Sequence, residues 1–106
     1  MNPRLAYYCV AVQHPAVSGA EHLELLQLRD QLVSLEPLLT PEEQEALGTA
    51  DALLAAQASQ FHQELQRFIN LATYRHAQDI PPERWWWYLD VLQHVPRPST
   101  ATSTGA

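Results

Sequence analysis

Lysine is absent from this chain, cysteine occurs once and glycine three times. Each shortage excludes something. Without lysine, the six basic residues are all arginine: Arg4, Arg29, Arg67, Arg75, Arg84 and Arg97. They lie scattered along a chain whose formal charge is −6. Nucleic-acid binders cluster basic side chains to neutralise phosphates, and an anionic membrane surface demands the same. Neither partner is expected. Cys9 alone cannot close an internal disulfide. In an apolar stretch with no basic neighbour it reads as a small buried hydrophobe, not a reactive thiol.

Three separated glycines leave no phosphate-cradling loop, and no Gly-x-Ser-x-Gly elbow occurs. Long apolar runs are missing as well. The longest, Leu5 to Val12, is far too short to span a bilayer. Arg4, that run and the small residues Ser18 and Ala20 loosely imitate a signal peptide. Two tyrosines and the break at Gln13-His14-Pro15 interrupt the imitation, so a cytoplasmic location is expected.

What is present fits one domain. A chain of 106 residues buries enough surface to stand without disulfide or metal. Apolar residues make up 46% and charged residues 17%. The first value is ordinary and the second is low, which points to a chain that covers part of itself with a partner. Residues 1–95 are read as a single helical domain. Residues 96–106, rich in Pro, Ser, Thr and Ala, have no apolar pattern to offset their ordering entropy and are read as a disordered tail.

Helix signals fill the domain. Pro3 suits a first helical turn, and a short N-terminal helix is expected to run to Gln13. Ser18 with Glu21 three residues later predicts a second helix, whose leucines Leu25, Leu28, Leu32 and Leu35 recur at helical spacing until Pro37. Thr40-Pro41-Glu42-Glu43 is the strongest start in the chain: a capping hydroxyl, a proline at the first position and two acids facing the dipole. From there Leu47, Ala50, Leu54, Ala58, Phe61, Leu65, Phe68 and Ala72 step by threes and fours. They predict one long central helix with a coiled-coil-like seam, with Gly48 as its weakest point. Such a helix, roughly 50 Å long, needs its whole seam covered, beyond the second helix by the first and last helices or by another copy of the chain. After Pro81-Pro82, a Trp-rich C-terminal helix is expected to His94. The fold class is therefore all-α, a small bundle built on a helical hairpin. Its expected core is Leu25, Leu28, Leu32, Leu47, Leu54, Phe61, Leu65, Phe68, Trp85, Leu89 and Leu92.

Trp85-Trp86-Trp87-Tyr88-Leu89 is the least ordinary stretch. At 100° per residue Trp85, Tyr88, Leu89 and Leu92 share one face, while Trp86 and Trp87 flank the side that holds Glu83, Asp90, Gln93 and His94. Trp85 is thus expected in the core. Trp86 and Trp87 have two readings. Either they lie across neighbouring helices with their N–H groups on partners or water, or they form a contact surface, where tryptophan is enriched among hot spots, with Asp90 and His94 at its polar edge.

Other chemistries find little support. His14, His22, His62, His76 and His94 show neither Glu-x-x-His nor close paired spacing, so no metal site is expected. Glu42, Glu43 and Glu45 serve a helix start better than an active site. Arg67, Tyr74, Arg75 and His76 suit a helix end as well as an anion. No catalytic residue and no cofactor is assigned. The reading is a non-enzymatic protein–protein interaction module, an adaptor, regulator or assembly factor, acidic and self-associating as a homodimer. The alternative is a small-molecule-binding protein with an aromatic pocket. A nucleic-acid-binding regulator is the remote third, and needs a dimer to gather the scattered arginines.

Overall fold

Six α-helices and two 3-10 turns account for most of residues 1–92, which are the residues that the computed structural model describes. Among them there is no strand, and the architecture is an all-α bundle. The predicted tail at 96–106 and His94 lie outside the described residues.

Helix α1 spans Pro3–Ala11. Asn2 caps it, its Oδ1 accepting from the backbone N–H groups of Arg4 at 2.9 Å and Leu5 at 3.3 Å. A helix of nine residues is too short to hold itself in water. Packing holds it: Leu5, Tyr8 and Val12 are buried, each contributing about 1.5–3 kcal/mol. α1 packs against both α2 (Gly19–Leu35) and α3 (Pro41–Ala56). Ser18 caps α2 by accepting from the Glu21 N–H. A 3-10 turn at Glu36–Leu38 leads to Thr40, where a capping box forms in both directions with Glu43.

The long central helix does not form as one piece. It divides into α3, α4 (Ala58–Leu65) and α5 (Leu71–Ala77). The first break falls at Gln57, whose backbone leaves the helical region and whose Nε2 donates to the Val12 carbonyl at 2.9 Å. The second is a turn before Asn70, which caps α5 by accepting from the Thr73 N–H at 2.9 Å. Gly48, the expected weak point, sits inside α3 without breaking it. Divided in this way, most of the seam folds back within one chain: Leu47, Ala50, Leu54, Ala58, Phe61 and Leu65 are buried, while Ala72 is exposed and its neighbour Leu71 is buried instead. Phe68, expected in the core, falls on the second turn and is 55% exposed. Leu28, Trp85 and Leu92 are only half-buried, while the other expected core positions are buried.

α2 packs across α4, and the approach is close at one glycine. A Cβ on Gly19 would lie 2.5 Å from the Glu64 carbonyl oxygen. Alongside, His22 is buried, with its ring 4.4 Å from that of Phe61 and its Nε2 2.8 Å from the Pro15 carbonyl oxygen. The expected C-terminal helix is a 3-10 turn at Trp85–Tyr88 followed by a short α6, Leu89–Leu92, which packs on α4.

Candidate functional site

The 3-10 turn decides where the tryptophans point. With three residues per turn, positions i and i+3 eclipse one another. Trp85 and Tyr88 therefore share the half-exposed side, and Trp86 and Trp87 turn inward. Their exposures are 3% and 1%, which overturns the contact-surface reading and matches their lying across neighbouring helices, while Trp85, expected in the core, is the half-exposed one. Steps of about 100° and 120° both group Trp85 with Tyr88. They differ at Leu89, which the first sets beside Trp85 and the second in line with Trp86. The buried Leu89 marks the Trp86 side as inward.

Both indole N–H groups donate to a single atom, Asp30 Oδ1, at 2.8 Å for Trp86 and 2.9 Å for Trp87. Arg84 Nη1 lies 3.2 Å from the same oxygen. One carboxylate on α2 thereby satisfies two buried donors, which would each cost about 1–3 kcal/mol unpaired. The ring faces are occupied too. Tyr74 stacks on Trp87 at 5.1 Å, and the Arg29 guanidinium carbon lies 4.3 Å from the centre of the Trp86 ring. Packed and hydrogen-bonded on these sides, the two tryptophans serve the interior.

Arg29 is the centre of this interior. It is 4% exposed, and its Nε and Nη2 donate to the two oxygens of Asp51, each at 2.9 Å. The Tyr8 hydroxyl donates to Asp51 Oδ1 at 2.6 Å, and Glu36 approaches Arg29 at 3.7 Å. Burial opposes the arginine's charge, but the Asp51 carboxylate outweighs it and holds the guanidinium above its ordinary value. Burial, followed by the Asp51 charge, drives the Tyr8 phenol far above its usual range. Neither group exchanges a proton near neutral pH. Arg29 Nη1 is buried without a hydrogen-bond partner among the described residues.

Asp90, the third expected contact residue, is half-buried and pairs with Arg75 of α5. Arg75 donates to its Oδ1 at 2.6 Å and Oδ2 at 3.3 Å, and also to the Trp87 carbonyl at 3.1 Å. The structure therefore brings Trp86, Trp87 and Asp90 together, but as parts of a polar scaffold under the last turn. Cys9 is half-buried, its Sγ lies 3.8 Å from the Ala46 carbonyl, and burial pushes its thiol up. Among the described residues no group of three or more His, Cys, Asp or Glu side chains is placed to hold a metal. No helix among them is long and apolar enough to cross a membrane.

The unexplained surface lies elsewhere. α1 is apolar on both sides: Leu5, Tyr8 and Val12 face inward, while Tyr7 is 63% and Val10 57% exposed. Tyr7, Val10 and Val17 border a depression of about 190 Å³ between α1 and α2, floored by Leu25 and edged by His14 and Glu21. A second depression continues from Tyr7 toward the other end of α1, between Arg4 and the α2 residues Glu24 and Leu28. The angular count made for the tryptophans exposes this face as well. Taking Leu5 as zero, Tyr8 and Val12 fall at about 300° and 340°, whereas Tyr7 and Val10 fall at about 200° and 140°. Compared with protein families, with curated protein sequences and with solved structures, the chain finds no match in any of the three.

Proposed function

We propose that this chain is a non-enzymatic, cytoplasmic helical interaction module, an adaptor, regulator or assembly factor, whose contact surface is the outward face of α1 with the adjoining edge of α2. One observation carries the reading: α1 presents apolar side chains on both of its faces, and its own fold covers only one. An outward helix face on which Tyr7 and Val10 stand in water leaves apolar area uncovered. Isolated exposed hydrophobes are ordinary, but Tyr7, Val10 and Val17 converge on one groove, and convergence marks interaction surfaces. Tyrosine adds a large, stiff contact area at small entropic cost.

The arginines support a protein partner over a nucleic acid. Arg29, Arg67, Arg75 and Arg84 each lie within 4 Å of a carboxylate of the same chain. Phosphates would have to displace those acids. Small-ligand binding between the last turn and the helices beneath it is disfavoured by the side chains already covering Trp86 and Trp87.

The test is affinity capture from the native host with wild type and with Tyr7→Ser/Val10→Ser. The expected outcome is an unchanged helical circular dichroism signal in the variant and loss of a protein that wild type retains. Recovery of the same proteins by both would overturn the reading.

A further inference from the structure

We infer that the partner seated on the α1–α2 groove is a second copy of this chain, docked about a two-fold axis that runs along the groove. The inference rests on the interaction reading above and adds the identity of the partner. The division of the central helix weakens the over-long seam as a reason for a homodimer, since its residues from Leu47 to Leu65 are covered within one chain. The groove supplies a different one.

Its two edges differ in charge. The α1 edge carries Arg4 toward one end and His14 toward the other. The α2 edge carries Glu24 at the Arg4 end and Glu21 at the His14 end, with Tyr7 common to both halves. Arg4, His14, Glu21 and Glu24 are all at least partly exposed, and none of the four makes an ion pair among the described residues. In a two-fold interface one patch must complement itself, so that residue i meets residue j and j meets i. A patch with one basic and one acidic edge satisfies that requirement.

The charges also choose the axis. A two-fold along the groove lays the α1 edge of each copy over the α2 edge of the other at the same level. Arg4 then faces the partner's Glu24, His14 faces the partner's Glu21, and Tyr7 and Val10 close the space between. A two-fold across the groove would instead set Glu24 over the partner's Glu21 and Arg4 over its His14. That arrangement opposes acid to acid and leaves neither edge complemented, and like charges across an interface are costly.

The experiment is sedimentation velocity on the purified full chain over a wide concentration range, with folding checked by circular dichroism. Wild type is expected to form a reversible dimer that added salt weakens. Arg4→Glu and Glu24→Arg are each expected to weaken self-association at least about tenfold, because symmetry converts two attractive contacts into two repulsive ones. Neither side chain is buried, and an acid in the first turn of α1 suits the helix dipole. An equimolar mixture of the two variants is expected to recover association to within about threefold of wild type, since both contacts in the mixed dimer again pair an acid with a base.

A wild-type chain that stays monomeric throughout overturns the inference. So does a dimer that both single variants leave intact, or a mixture no stronger than its components. If wild type is monomeric yet Tyr7→Ser/Val10→Ser abolishes capture of a different protein, the second copy is ruled out and the interaction reading stands. If that double variant also changes nothing in capture, both fall.

Discussion

His22 lies under the same groove, and its chemistry sets a condition on the fold. Burial presses its imidazole below the ordinary value of 6.5, outweighing the hydrogen bond to Pro15 and the nearby charges of Glu64 and Glu21. Folded, it holds a proton less tightly than it does unfolded. Between 6.5 and the lower folded value the unfolded chain therefore binds more protons, and stability rises with pH. The contribution is complete above 6.5, shrinks as pH falls toward the folded value, and is lost below it. Urea midpoints measured between pH about 7 and about 5 should fall with pH in wild type. His22→Gln should flatten that part of the profile, and an equal slope in both proteins would assign it to other groups. The burial of His22 was not legible in the sequence. It sits one helical turn before Leu25 and Leu26 on α2, but a lone histidine at such spacing reads equally well as surface.

At the scale of elements, the two glycines of the described residues have opposite roles. Gly19 lets the start of α2 approach α4, where an added Cβ would meet the Glu64 carbonyl oxygen at 2.5 Å and the Phe68 Cβ at 2.9 Å. Backbone cannot swing aside as a side-chain tip can. Gly19→Ala should cost about 1–3 kcal/mol as overpacking. Gly48 is exposed within α3, with nothing within 4 Å of the Cβ position, so Gly48→Ala should add about 0.5–1 kcal/mol of helix stability. Thermal unfolding of the two variants distinguishes them by sign, and a shared sign would contradict the close crossing of α2 and α4. Helix starts were legible because caps are local: Thr40 forms a reciprocal box with Glu43, and Ser18 caps α2 through the Glu21 N–H, the one half of its box that is present among the described residues. The breaks in the central helix were not, although Asn70 with the Thr73 N–H is a cap of the same kind. Steps of three and four from Ala58 through Phe68 identify a face but say nothing of whether the axis stays straight. At the tryptophan turn the inward side depends on Leu89, which an α-helical step counts with Trp85 and a 3-10 step counts with Trp86. The burial of Trp86 and Trp87 was therefore not legible from the angle alone.

Across the whole molecule, Arg29 joins parts far apart in sequence. It stands on α2, pairs with Asp51 on α3, shares that acid with Tyr8 on α1 and lies over Trp86 of the last turn. Fluorescence from the tryptophans and far-ultraviolet dichroism from the helices should therefore report one coincident unfolding transition. Arg29→Ala, which strands Asp51 among buried neighbours, should lower stability by about 3–5 kcal/mol. Separate transitions in wild type would mean that the last turn is held independently. The all-α class was legible from spacing and caps, whereas this convergence was not, because nothing local in the sequence pairs Asp30 with Trp86 or Arg29 with Asp51. α1 is held in a related way. Asn2 N–H donates to Glu43 Oε2 at 2.7 Å near the start of α3, and the Val12 carbonyl accepts from Gln57 at its end. Fastened at both ends, α1 has a fixed length: one inserted residue rotates everything beyond it by about 100° and separates Tyr8 from Asp51. Its outward letters carry no such obligation. Positions 4, 7, 10 and 14 can be rewritten while the mounting stays as it is, so the protein is built as a frame that displays a short interchangeable text.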